Sequence, residues 1–373
     1  MINMKEKTHF KFFGNCIIVH GFKMSIIYDL DRGSFHKIPL SVALVLQGAS
    51  QTSLVTFLEN IKIDDKNTII EWLNKFEELE IGMFCDKEEA PLISRMNMNW
   101  IMPCAIVNGI IYYNESNFDL AINHLCRLNC QDIQIRFLGE ICRNELDLIS
   151  QKLMFTSIKT CEIVANITEN IDSNYLKQLA FSNKRFRRFY FLNSPKNEYC
   201  QCGTSIAVFS KQGLLDECGY IHHSYFNLNI PLFTESQHHN TCLNRKLSID
   251  KDGYIKNCPY MEHHYGHISN TKIEDVVNLP EFQKWWHIKK DDIDVCKDCE
   301  FRHMCTDCRA FIKDPENIYS QPAKCTYNPY ICKWEGEEGY VPVEECGTYS
   351  RETGFVPDKK KIKKLNKQIW GDE

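Results

Sequence analysis

The sequence predicts an α/β protein in three parts, and three observations carry that reading. Strand-like and helix-like runs alternate from residue 100 to about 235. A shorter stretch, residues 9–85, runs from strands into helices and back to a strand. A loop-rich segment, residues 236–346, concentrates cysteine beside Gly, Pro, Asp and Asn. A chain of 373 residues is long enough for two or three domains with their own cores. A net charge of −5 gives no global basic field, so neither nucleic acid nor an anionic membrane is an expected partner. The opening "MINMKEKTHFKFF" has no apolar core followed by a small-residue cleavage site, and no apolar run approaches the ~20 residues of a membrane span. A cytoplasmic protein is therefore expected.

In the first part, "CIIVH" and "SIIYDL" are β-branched strand runs, and "SFHKIP" follows an Asp-Arg-Gly turn. Pro39 opens the helical pattern "LSVALVLQ". "SQTSLVTFLENI" and "DKNTIIEWLNKFEELE" follow at helical spacing, with Asp65 a candidate N-cap for the second. "IGMFC" closes the unit as a strand. Strands, three helices and a strand outline a small winged-helix-like module over residues 1–90.

In the second part, residues 91–235, the strands are "AIVNGIIYY", "DIQIRFL", "KTCEIVANI" and "FRRFYFLN". The helices between them are "FDLAINHLCRLN", "NELDLISQKLM" and "SNYLKQLAFS". This alternation argues for βα units and a parallel sheet. Four units are too few for an eight-fold barrel, so an open or partial barrel is expected. Residues 347–373 end in a basic tail, "PDKKKIKKLNKQIWGDE", which reads as a solvated helix.

Nineteen cysteines are the outlier. Without an export signal, disulfides are the poorer explanation. Cys16, Cys85, Cys104, Cys126, Cys130, Cys142 and Cys161 are scattered through regular runs, where a cysteine is by default a small buried hydrophobe. The rest of the pattern is Cys242, then Gly253 followed by Cys258, then Cys296, Cys299, Cys305, Cys308 and Cys325. One tetrahedral zinc could take Cys296, Cys299, Cys305 and Cys308. However, only five residues separate the two CxxC pairs, against a usual gap of roughly 15–20. Two iron–sulfur clusters explain more of the set, since the fourth cysteine of a close run can serve a second cluster. On that logic Cys296, Cys299 and Cys305 join Cys325, and Cys308 joins Cys242 and Cys258. Gly253 would allow the tight hairpin in "SIDKDGYIKNC" that returns Cys258 toward Cys242.

This order of cysteines resembles a SPASM domain, the C-terminal extension of many radical SAM peptide-maturing enzymes. The resemblance implies two 4Fe–4S clusters held by Cys242, Cys258, Cys296, Cys299, Cys305, Cys308 and Cys325. The final step of the quartet, "CTDC", is one residue shorter than the usual pattern. The first cluster has three matched thiolates, leaving His238, His239 or no residue as its fourth ligand. Cys332 is a reserve ligand for either cluster. "YDLDRGSFHKIP", "ESQHHNTCLNRKLSIDKDGYIKNCP", "KDCEFRHMCTDCRAF" and "KCTYNPY" together resemble the SPASM-domain peptide maturase of grasp-with-spasm systems. The resemblance implies two partners, a ribosomally made precursor peptide and an ATP-grasp ligase.

The radical SAM motif CxxxCxxC is missing. The stretch after the first strand of the second part, "NESNFDL", has no cysteine, and in "CRLNC" the third position is Ile133. "IQIRFLGEI" stands where a glycine-rich SAM-binding strand would be. Residues 91–235 are therefore read as a degenerate radical-SAM-like partial barrel with no expected SAM site. Neither a P-loop nor a nucleophile elbow is present. The patches "IHHSYF", "SQHHN" and "MEHHYGHI" read as solvated loops. Arg185, Arg187 and Arg188 read as solvated strand-end cations or as a contact for an acidic peptide. The expected function is a peptide maturation factor that binds its precursor, holds the clusters and works with the ligase. A radical or redox enzyme and a zinc-stabilised scaffold are the alternatives, and no catalytic residue is visible.

Overall fold

The computed structural model describes residues 7–166, 171–214 and 218–371, so the first six residues of the opening segment lie outside it. In the N-terminal part, β1 (His9–Phe12) precedes β2 (Cys16–His20), β3 (Met24–Asp29) and β4 (Ser34–Pro39). Three helices follow, α1 (Leu40–Ala49), α2 (Leu54–Glu59) and α3 (Ile63–Glu78), and then β5 (Gly82–Cys85). Strands β2, β3 and β4 form an antiparallel sheet with β3 in the centre, and β1 pairs with β5 apart from it. The short β1 was not expected. Helix α3 starts two residues before Asp65 with Lys62 at its N-cap, so Asp65 sits in the first turn rather than capping it. An acidic side chain there still favours the helix dipole.

Next come the alternating strands β6 (Asn108–Tyr112), β7 (Asp132–Glu140), β8 (Thr160–Asn166) and β9 (Phe186–Leu192). Helices α4 (Glu115–Arg127), α5 (Arg143–Leu153) and α6 (Ser173–Ser182) connect them. Asn114 and Asp172 cap α4 and α6 by accepting from the N–H groups of Ser116 and Tyr175. The parallel sheet expected from sequence is present and larger than expected. A hairpin, β10 (Glu198–Cys202) and β11 (Ser205–Phe209), extends one side, with β11 parallel to β9. A second hairpin, β12 (Lys246–Ile249) and β13 (Ile255–Lys256), extends the other, with β12 parallel to β6. The result is one open eight-stranded sheet, β10-β11-β9-β8-β7-β6-β12-β13.

Alternation along these strands separates two faces. The row Ile249, Ile111, Ile135, Ile163, Phe189 and Ala207 packs under α4, α5 and α6, and each of its members is at most 1% exposed. Phe189→Ala should therefore cost about 3–5 kcal/mol, measured by urea unfolding. The neighbouring row is Ser248, Ile110, Gln134, Glu162 and Arg188. Gln134 donates to Glu162 at 3.0 Å, Arg136 Nε donates to Gln134 Oε1 at 2.6 Å, and Arg188 lies 3.7 Å from Glu162. A parallel sheet is usually apolar on both faces. This one keeps charge and hydrogen-bonding capacity on the face away from the helices.

After α7 (Ile230–Ser236) the chain is mostly loops and single turns. The tail is less solvated than the sequence suggested. A hairpin of β14 (Gly347–Ser350) and β15 (Gly354–Pro357) precedes α8 (Lys359–Trp370). Ile362 of α8 is buried with Tyr330 and Phe355, and Trp370 Nε1 donates to Ile331 O at 3.1 Å. Among the described residues no helix is long and apolar enough to cross a membrane.

Candidate metal centres

The thiols of the C-terminal part fall into two sets. In the first, Cys242 precedes β12 and Cys258 follows β13, so the hairpin returns one toward the other. Gly253 makes that return possible. Its φ is +85°, and an added Cβ would meet His267 Nε2 at 2.4 Å. Cys308 joins this pair, as the cysteine order suggested, and so does Cys218. Burial raises Cys258 to about 12 and Cys308 to about 11, and in both the neighbouring charges of Cys242 and Cys218 add to the rise. Gly219, beside Cys218, is so close that a Cβ there would lie 3.0 Å from Cys308 Sγ.

The second set is Cys296, Cys299, Cys305 and Cys325, which together line one cleft with Lys290, Arg302 and Phe301. Burial raises Cys296 to about 11 and Cys305 to about 12, and the charge of Cys325 adds to both. Cys325 is tied in by a parallel bridge to Ile221. One loop therefore sends Cys218 to the first set and Ile221 to the second.

Each set has a lysine against a sulfur. Lys246 Nζ lies 3.4 Å from Cys242 Sγ, and Lys290 Nζ lies 3.7 Å from Cys296 Sγ. Buried thiols resist ionisation, yet metal ligation needs thiolates. Two loop-borne groups of four thiols, each beside an ammonium, suit a thiolate-ligated group of net negative charge. Among the described residues no three Cys, His, Asp or Glu side chains close on the position of a single ion.

Comparison with known families matches residues 241–300 to SPASM, an iron–sulfur cluster-binding domain. These residues are a SPASM domain. No curated protein matches the chain. The SPASM match spans Cys242, Cys258, Cys296 and Cys299, while Cys218 lies before it and Cys305, Cys308 and Cys325 lie after it.

The histidines considered as fourth ligand lie elsewhere. His239 packs on Trp100 and His287 at ring distances of 5.5 and 5.4 Å, with His238 beside it. Cys218, rather than a histidine, is the further side chain beside Cys242, Cys258 and Cys308, and a lone "ECG" within residues 91–235 gives no spacing signal. Cys332 is not in either set. Its environment is Glu300 and Tyr327, and burial raises its thiol.

The remaining candidates resolve individually. Cys16, Cys85, Cys104, Cys130 and Cys161 are buried as small hydrophobes. Cys126 is half-buried, and Cys142 is exposed at the start of α5, where its N–H donates to Glu145 at 2.8 Å. Arg185 is not solvated, because it donates to the carbonyls of Ile158, Met154 and Thr156 and so holds the end of α5 to β9. Arg187 is exposed, and Arg188 faces Glu162 on the polar face.

Glu235, next to the SPASM domain, carries a pH dependence. Burial raises its carboxyl from 4.5 to about 7, against the opposing donation from Asn244. A raised carboxyl stabilises the fold through its protonated form. That contribution is complete below pH 4.5 and is lost as pH rises through about 7. The thermal midpoint should fall over this window in the wild type, and the fall should be smaller in Glu235→Gln.

Proposed function

We propose that the chain is a peptide maturation factor whose SPASM region holds two 4Fe–4S clusters. One is ligated by Cys218, Cys242, Cys258 and Cys308, the other by Cys296, Cys299, Cys305 and Cys325. The observation that carries the reading is the sorting of eight loop thiols into two groups of four, each with a lysine on a sulfur. A single zinc would hold its ligands at about 2.3 Å from one point, and neither set gathers that tightly. When bound, each cluster supplies a cross-link between loops far apart in sequence and a redox-active centre.

Residues 1–90 are the precursor-binding module in this reading, winged-helix-like, with an extended peptide adding to the sheet edge. "MSIIYDL" supplies the central strand β3, so the edges are β2 and β4. Phe35 and Lys37 of β4 lie on Phe301 of the cysteine-rich region. The edge β2 instead borders a groove that includes Lys11, Phe13, Ile17, Gln47, Arg95 and Met96. Backbone groups of β2 would give affinity, and Lys11 and Arg95 would favour an acidic peptide. The ATP-grasp ligase would act on the peptide so presented.

Iron and acid-labile sulfide on protein purified without oxygen test the cluster assignment. Eight of each per chain are expected from two 4Fe–4S groups. Zinc without sulfide would replace the reading with a folded scaffold. Strand addition is tested by precursor titration against a β2 variant, Ile18→Pro, which should bind at least about tenfold more weakly because an edge proline removes a backbone donor.

A further inference from the structure

Lys290 is 3% exposed, a position that lysine occupies only beside compensating charge. Its Nζ lies 3.7 Å from Cys296 Sγ and 3.5 Å from Asp307 Oδ1. Asp307 is fully buried and also accepts from Arg309 Nη2 at 2.7 Å, so one carboxylate faces two cations. The remaining negative partner within reach of Lys290 is sulfur. Lys246 has the same relation to the other set. It is partly buried at the start of β12, on the polar face of the sheet, with Nζ 3.4 Å from Cys242 Sγ. Arg136 on that face stacks near Tyr112 and Tyr260, and among the described residues its buried Nη1 has no hydrogen-bond partner. Each thiol set thus has its own ammonium, and the two lysines are on separate elements.

We propose that Lys246 and Lys290 are positioning residues that set the reduction potentials of the two clusters independently, each holding its own cluster's potential up, with Asp307 opposing Lys290. The inference rests on the cluster assignment above. Four thiolates give a cluster net negative charge, and an added electron is stabilised by a cation fixed at a ligand sulfur. Local charge and hydrogen bonds to sulfur are among the main determinants of such potentials. A buried carboxylate at the same place acts with the opposite sign.

The test is a potentiometric titration of the full, loaded chain, followed by electron paramagnetic resonance. Lys246→Met should move one of the two reduction waves to more negative potential and leave the other in place. Lys290→Met should move the second wave the same way. Asp307→Asn should move the Lys290-sensitive wave to more positive potential. Lys246→Arg keeps the charge and should stay near wild type, and Lys246→Gln serves if the Met variant does not load. Fully loaded Met variants with unmoved waves would overturn the inference alone. So would Lys290→Met and Asp307→Asn shifting in the same direction. A wild-type protein without iron and sulfide would overturn the cluster assignment and this inference with it.

Discussion

If the proposed assignment holds, Cys218→Ser protein purified without oxygen is expected to carry about half the iron and sulfide of the wild type, because one of the two proposed four-thiolate clusters would lose a ligand. Cys218 lies with Cys242, Cys258 and Cys308: burial raises the thiols of Cys218, Cys258 and Cys308, and the charge of Cys242 adds to each rise. Removing it leaves three thiols and the Lys246 ammonium without their full complement of negative charge. The second set, Cys296, Cys299, Cys305 and Cys325, contains no atom of Cys218 and should load normally. His238→Ala and His239→Ala should retain full iron, since the imidazole of His239 packs on Trp100 and His287 instead. If Cys218→Ser keeps all its iron while His239→Ala loses half, the first set has been assigned the wrong fourth ligand.

Why the sequence hid Cys218 is a matter of distance along the chain. The sequence favours dividing the cysteine run over a single zinc on Cys296, Cys299, Cys305 and Cys308, because only five residues separate Cys299 from Cys305 and Gly253 signals a tight return. Cys218 has no such neighbour, and only the fold carries it to Cys308. The same limit applies to the sheet. The alternating runs of β6 through β9 could be read locally, since each strand has an apolar side of β-branched and aromatic residues and each helix its own stripe. The four residues of β12, "KLSI", are too short for a period, and their pairing with β6 joins parts of the chain far apart in sequence. Strands β10 and β11, "EYCQC" and "SIAVF", lack a period-2 pattern of apolar and polar residues, so the turn signals "NSPKN" and "GT" beside them do not by themselves mark strands. Helix α3 starts before Asp65 because Lys62 takes the N-cap position without a side-chain cap hydrogen bond, so its true start carries no capping residue type for the sequence to show.

On the proposed assignment, loss of the second cluster should reach the N-terminal sheet, whereas loss of the first should not. The inner face of that sheet, Val19, Ile26, Tyr28 and Leu30, shares one buried cluster with Phe301, Met304 and Tyr327 of the cysteine-rich region. Polar contacts reinforce the docking. Tyr28 Oη donates to Glu300 O at 2.7 Å, Arg302 Nη1 donates to His20 O at 2.6 Å, and Phe22 N–H donates to Asp298 O at 2.8 Å. All three involve the loop between Cys296 and Cys305, so the loop that supplies three thiols is also the seat of the sheet. A Cys299→Ser chain that cannot close its cluster loses the cross-link that shapes this loop. Each of the three hydrogen bonds is worth about 1 kcal/mol, and loss of two would loosen the sheet enough to weaken binding of the proposed precursor peptide by at least about tenfold. Limited proteolysis should then cut the connection between β5 and β6, over residues 86–107, sooner than in the wild type. Cys218→Ser is the comparison variant, because its set lies against the polar face of the eight-stranded sheet through Lys246 and includes none of the three thiols of the docking loop. Equal affinity of the two variants for the proposed precursor would show that the N-terminal sheet is seated by its apolar contacts alone and would separate the second thiol set from peptide presentation.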